Sequence, residues 1–311
     1  MNKIAFLFSG QGAQYVGMGK ELYQNVPEAR EVFEEADNVL GFSIKKLCFE
    51  GPQEKLNKTE FTQPAILTVS IAALKCIDKM GVKCDVAAGL SLGEYSALVC
   101  SGALTFHEAV KLVRKRGKYM EEAVPYGEGA MAAVIGLNED IIKQCLNKAS
   151  EKGIVEISNY NCPGQIVIGG QVEAVSEASN LLKQKGARKV IPLKVSGPFH
   201  TSMLKSASEK LYRELETLNI KNMNIPVVTN VTGGYIEDVS CVKQNLKLQV
   251  MSSVMWERTI NTFIQDGVDT FIELGPGKVL TGFVKKINRK LSTYNVQDLK
   301  SLQKTVEALS N

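Results

Sequence analysis

Gly89-Leu90-Ser91-Leu92-Gly93 carries the strongest structural signal in the chain. The five residues fit Gly-x-Ser-x-Gly, in which a serine sits on a strained turn between a strand and a helix. The two glycines are needed because the turn is so sharp that side chains there would collide with the neighbouring strand and helix. The flanks agree. Asp85-Val86-Ala87-Ala88 reads as the end of a short buried strand, and Glu94-Tyr95-Ser96-Ala97-Leu98-Val99 as the first turns of a helix. Ser91 would then present its oxygen near the positive end of a helix dipole, where an anionic tetrahedral intermediate is stabilised. Three fixed positions match by chance about once in ten chains of this length. The strand–turn–helix context is what separates a nucleophile from a turn serine.

Outward from this elbow, short apolar runs alternate with amphipathic helical stretches, the pattern of an α/β protein with a mostly parallel sheet. Ile4–Phe8 reads as a strand leading into the glycine-rich Ser9–Gln14. Helices are expected over Pro27–Leu40 and Gln63–Met80, and from a cap at Thr105 to about Ala123. The texture changes near Pro125–Gly129. From there the order is strand (Ala130–Ile135), helix (Asn138–Glu151), strand (Ile154–Ser158), turn (Asn161–Gly164), strand (Gln165–Ile168), helix (Val172–Lys185) and strand (Lys189–Leu193). That βαββαβ order is the ferredoxin-like unit, and it reads as a small domain, 126–194, inserted into a larger α/β domain made of 1–125 and 195–311. The chain returns through Ser196–His200 to a helix at 202–218, a strand at Pro226–Asn230 and a late strand at Thr270–Leu274, with Gly275-Pro276-Gly277 opening another helix.

Composition excludes several classes of function. The 311 residues suffice for one large domain or two unequal ones, and 44% hydrophobic with 23% charged residues is ordinary for a globular protein. No apolar run approaches the roughly 18 residues of a membrane span, and Ile4–Phe8 is too short for a secretory signal core. Seven scattered cysteines without a Cys-x-x-Cys pair speak for a reducing cytoplasm, not for a disulfide framework or a zinc site. The net charge of +4 permits an acidic partner, and no basic block suggests nucleic acid.

A serine hydroxyl needs a base, and the chain has two histidines. His107 falls in the first turn of a helix and reads as a rim residue. His200 lies on a loop framed by Gly197-Pro198 and Thr201, the better place for a base held by a rigid scaffold. No acid stands out as a third member of a triad. A Ser–His dyad whose imidazole is oriented by a backbone carbonyl is therefore expected. On the helix after Thr105, at about 100° per residue, Arg116 falls inside the apolar arc between Leu112 and Met120, with Arg114 at its margin. A core-facing arginine requires an anionic partner. That partner is either a fixed glutamate or a substrate carboxylate gripped by two parallel hydrogen bonds.

Ser91, His200 and Arg116 together resemble the malonyl-CoA:acyl carrier protein transacylases of dissociated fatty acid synthesis, related to the acyltransferase domains of polyketide synthases. The likeness runs from Ile4 to about Ile287. It is carried by Phe8–Gln14, Thr62–Ala65, the elbow extended to Ala97, Arg116-Gly117, Asn161–Gln165, Ser196–Thr201 and Glu273–Gly277. The resemblance implies an α/β-hydrolase-like large domain and a ping-pong acyl transfer through a malonyl-serine. It makes Ser91 the nucleophile and His200 its base. Gln11 and Leu92 would supply oxyanion-hole N–H groups, Arg116 would bind the malonyl carboxylate, and the Gln249 carbonyl would orient the histidine. Phe199 matches the malonyl-type pattern, and Asn161 would face the cleft. It further implies no cofactor, coenzyme A thioester and an acidic acyl carrier protein as substrates, and a cytoplasmic monomer with neither nucleic-acid nor membrane partners. Three positions depart from the family pattern: Leu90 stands where histidine is usual, Ser253 where proline is common, and Cys162, read as a surface turn thiol, where serine is common. A serine hydrolase and a docking subunit without chemistry are the competing readings.

Overall fold

The computed structural model describes residues 3–125 and 127–310. Tyr126, where the sequence sets the start of the inserted unit, lies outside the described residues, as do Met1, Asn2 and Asn311. The strands are β1 (Ile4–Phe8), β2 (Val86–Gly89), β3 (Gly129–Ile135), β4 (Val155–Cys162), β5 (Gln165–Gln171), β6 (Lys189–Pro192), β7 (Thr270–Leu274) and β8 (Ser292–Val296). They form two separate sheets.

The first sheet is parallel, ordered β2-β1-β7-β8. Its central strands β1 and β7 read as unbroken apolar runs because both faces are covered. Phe6 and Phe8 pack into the core built by the helices Pro27–Leu40, Thr59–Lys79 and Phe106–Ala123, while Ala5 and Leu7 face the opposite core with Trp256, Phe263 and Phe283. The second sheet is antiparallel, ordered β4-β5-β3-β6. Helices Glu139–Ala149 and Val172–Gln184 cover one of its faces with Ile142, Leu146, Ala178 and Leu182. Its other face sends Met131, Ala133 and Val167 into the main core. A cleft between the two sheets is the consequence.

Several boundaries differ from the sequence reading. The helix expected at Gln63–Met80 begins a turn earlier, at Thr59, with Pro64 inside it. The helix expected at 202–218 is a short 3-10 turn, Ser202–Leu204, followed by a helix at Lys205–Glu216. Asn161 and Cys162 are strand residues, because β4 keeps pairing with β5 as far as Cys162 opposite Gln165, through two irregularities. The turn itself is Pro163-Gly164, with Gly164 at φ 71°. Cys162 is 1% exposed and packs in the core with Val228 and Val254, so the surface-thiol reading fails; burial pushes its thiol pKa up. Pro226–Asn230 is no regular strand. Among the described residues it meets β2 through two backbone–backbone hydrogen bonds, Ala87 N–H to the Pro226 carbonyl (3.0 Å) and Val228 N–H to the Ala87 carbonyl (3.1 Å). Asn230 then turns away toward the elbow.

Candidate active site

The parallel pair β1–β2 ends with Phe8 opposite Gly89, and the chain reverses at once into the helix Gly93–Cys100. A Cβ on Gly89 would stand 2.0 Å from the Gly93 carbonyl group, and one on Gly93 would stand 2.1 Å from the Phe8 carbonyl oxygen. Backbone lies on both sides, so only glycine fits. Ser91, between them, is held at φ 54°, a region that non-glycine residues seldom occupy without support. Asn230 supplies the support. Its Oδ1 accepts from the Ser91 backbone N–H (2.5 Å) and its Nδ2 donates to the Gly89 carbonyl (2.7 Å).

His200 comes from the loop after β6 and has φ 62°, the other positive-φ residue besides the glycines among the described residues. Its Nδ1 lies 2.7 Å from the Gln249 carbonyl oxygen, which can only accept, so Nδ1 carries the proton. Nε2 is left as the acceptor, 2.7 Å from Ser91 Oγ. Burial, reinforced by the nearby Arg116 charge, lowers the imidazole pKa to about 4, so the ring is neutral at pH 7. Among the described residues no carboxylate completes a triad at Nδ1. His107, by contrast, is exposed and pairs with Lys111 at 2.8 Å.

Arg116 reaches the same point from the helix Phe106–Ala123, which starts at a capping box between Thr105 and Glu108. Gly117 lets this helix press against the start of Thr59–Lys79; a Cβ there would stand 2.5 Å from the Thr59 carbonyl oxygen. The Arg116 side chain is 1% exposed. Nη2 donates to Ser91 Oγ (3.1 Å) and to Gln249 Oε1 (3.0 Å), and the guanidinium carbon sits 5.4 Å from the Tyr95 ring centre. Nε has no hydrogen-bond partner among the described residues. Burial pulls its pKa down. Among the described residues no ion pair includes Arg116; Arg114, two positions earlier, takes the glutamate instead, with Nη2 3.2 Å from Glu60 Oε1.

A cavity of about 240 Å³ opens onto Ser91 and His200 between the two sheets. Gln11, Leu90, Met131, Asn161, Val167 and Phe199 are among its lining residues. Gln11 lies in the loop after β1, and Leu92 directly follows the serine at the start of its helix. Neither of their backbone N–H groups is used in a hydrogen bond within the described residues. Asn161 is 6% exposed, and its Oδ1 has no hydrogen-bond partner among the described residues, an acceptor at the cavity wall. Leu90 gives the rim an apolar side chain. Ser253 Oγ donates to the Ile157 carbonyl (2.5 Å), so a hydroxyl ties this loop to β4. No group of acidic, histidine or cysteine side chains suited to a metal occurs among the described residues, and no helix is long and apolar enough to cross a membrane.

Three contributors escape sequence reasoning. Asn230 braces the elbow from 139 positions away. The Gln249 side chain, beyond its carbonyl, bridges Arg116 to Glu94 and to the Ser91 carbonyl. Glu94, inside the quoted elbow, is fully buried beneath the site; burial raises its pKa. Only a glutamate in an otherwise apolar helix start signals it.

Comparison with known proteins places the chain in a family. Residues 5–307 match the family model described as acyl transferase domain. The chain is 50% identical over 310 residues to the malonyl CoA-acyl carrier protein transacylase of Bacillus subtilis, covering 99% of this chain and 98% of the relative. It superposes on the malonyl CoA-acyl carrier protein transacylase of Clostridium perfringens with a TM-score of 0.96 at 50% identity, covering 99% and 97% of the two chains. A type II PKS acyl-carrier protein in complex with its malonyl-transacylase is similar at 40% identity and TM-score 0.96, with 98% and 99% covered. The chain belongs to the acyl transferase domain family, within the group of the malonyl CoA-acyl carrier protein transacylases.

Proposed function

We propose that this acyltransferase moves a malonyl group from coenzyme A to the phosphopantetheine thiol of an acidic acyl carrier protein, by a ping-pong route through malonyl-Ser91. The observation that carries the reading is the Arg116 guanidinium, buried, outside any ion pair among the described residues, and 3.1 Å from Ser91 Oγ. Such a site is suited to an acyl group that ends in a carboxylate.

In the acylation step the thioester carbonyl carbon meets Ser91 Oγ, whose proton passes to His200 Nε2. The imidazolium formed keeps its Nδ1–H on the Gln249 carbonyl. The oxyanion of the tetrahedral intermediate takes the free N–H groups of Gln11 and Leu92, each worth about 2.7–4 kcal/mol in comparable sites. Collapse breaks the carbon–sulfur bond, and His200 returns the proton to the departing thiolate. The carrier thiol repeats the sequence in reverse. Arg116 holds the malonyl carboxylate throughout, and Phe199 and Asn161 bound the space beside it. An acetyl group leaves the guanidinium unpaired and is disfavoured.

The finer assignments belong to the same proposal. The parallel-sheet body, 1–125 and 195–311, is an α/β-hydrolase-like domain, and 126–194 is a ferredoxin-like insertion; the strand order β4-β5-β3-β6 supports the latter. The protein works without a cofactor, as a monomer, in the cytoplasm, where its seven free cysteines are at home. Its net charge of +4 suits an acidic carrier. Replacing the nucleophile tests the reading: Ser91→Ala should abolish transfer and covalent labelling by malonyl-CoA. Labelling that persists in that variant would assign the chemistry to another group.

A further inference from the structure

A buried cation without a touching anion is costly, and among the described residues no carboxylate touches Arg116. Its compensation lies one amide away. Gln249 Oε1 accepts from Arg116 Nη2 (3.0 Å), while Gln249 Nε2 donates to Glu94 Oε2 (2.7 Å) and to the Ser91 carbonyl (2.9 Å). Reversing the amide would set its NH2 against the guanidinium and its oxygen against the carboxylate, so the orientation is fixed. Glu94 Oε2 also accepts from the Asn230 backbone N–H (3.0 Å), and the Asn230 side chain braces Ser91. One carboxylate thus lies behind the nucleophile and the guanidinium together. Through the Gln249 carbonyl it also stands behind His200.

We propose that Glu94, ionised, is the counter-charge of Arg116, held off by the Gln249 amide so that the guanidinium is compensated while its Nε takes no protein partner among the described residues and is left for a substrate carboxylate. A direct Glu94–Arg116 pair would compensate the charge equally well but would occupy the donors that an incoming acyl carboxylate needs. Burial raises the Glu94 pKa and Oε1 has no hydrogen-bond partner among the described residues; the two hydrogen bonds donated to Oε2 and the positive charge of Arg116 act the other way, toward the carboxylate. Glu94 is a positioning residue in this account: it touches neither Ser91 Oγ nor the cavity.

The inference rests on the reading of Arg116 given above only in its second test; the first is independent of function. Glu94→Gln keeps an oxygen able to accept from Asn230 and Gln249, removes the charge and places an NH2 where Oε1 stands. In thermal unfolding of the whole protein, Glu94→Gln and Arg116→Gln should each lower Tm by about 5–10 °C. The double variant should sit no lower than the less stable single one, because both buried charges are then gone. Additive losses overturn the proposal. If Glu94→Gln alone does not accumulate as folded protein, the double variant should, and its failure to do so also overturns it. The second test is selectivity. With the internal anion removed, the substrate carboxylate becomes the sole counter-charge. The ratio of kcat/KM for malonyl-CoA over acetyl-CoA should rise about tenfold in Glu94→Gln. An unchanged or lower ratio contradicts the inference. A wild-type enzyme without malonyl preference would instead refute the reading of Arg116 and leave the stability test standing.

Discussion

Removing the guanidinium should convert a malonyl enzyme into one that scarcely tells malonyl from acetyl. In Arg116→Ala the substrate carboxylate loses a fork whose Nε is unpartnered and whose Nη2 already sits 3.1 Å from the reacting oxygen. Two charge-assisted hydrogen bonds at about 1.5–3 kcal/mol each give a loss of about 3–6 kcal/mol. That is roughly a hundredfold to ten-thousandfold in kcat/KM for malonyl-CoA. Acetyl-CoA has no anion to lose. Its rate depends on Arg116 through the bond to Ser91 Oγ, the bond to Gln249 Oε1 and the positive charge that helps to hold His200 neutral. The acetyl rate should therefore change by less than about tenfold. Parallel measurement of acyl-enzyme formation from the two thioesters gives the ratio directly. Equal losses on both substrates would mean that Arg116 braces the elbow and does not read the acyl group.

The pH dependence follows from His200. Its base form is needed for acylation, and its pKa is lowered to about 4, chiefly by burial and secondly by Arg116. The acid limb of kcat/KM should therefore lie near pH 4, with activity flat above it. A limb near the ordinary histidine value of about 6.5 would contradict the buried, neutral imidazole. Arg116→Ala should shift the limb upward without reaching the ordinary value, because burial remains. Gly117→Ala would place a methyl 2.5 Å from the Thr59 carbonyl oxygen and force two packed helices apart. A stability loss of about 1–3 kcal/mol in denaturant unfolding, together with reduced malonyl preference as Arg116 is displaced, is expected; an unchanged midpoint would refute the close approach. Leu90→His, restoring the group usual in the family, should alter turnover by less than about tenfold, since it leaves Ser91, His200 and Arg116 in place.

The parts of this fold that sequence discloses are those encoded by short-range pattern. The elbow announces itself through Gly89 and Gly93. The helix Phe106–Ala123 is legible from its cap and from an apolar arc that includes Arg116. The βαββαβ order is legible because turn residues punctuate each element. Less legible are elements held by tertiary contact. β8 is partly exposed at four of its five positions and carries no clean alternation, yet pairs in register with β7. Pro226–Asn230 looks apolar enough for a strand, but Pro226 has no N–H and Asn230 is committed to the elbow. At the site, Ser91, His200 and Arg116 are visible as residue types in suggestive settings. The Gln249 carbonyl enters only by family likeness. Glu94 and Asn230 are hidden because their hydrogen bonds span 136 positions and leave no local signature.

Intact-protein mass spectrometry after exposure to malonyl-CoA and acetyl-CoA in equal amounts bears most directly on the pairing of Arg116 with Ser91. A single malonyl adduct, mapped to Ser91 and discharged by a pantetheine thiol, is expected. An acetyl adduct in equal yield, or an adduct on any other residue, would contradict it.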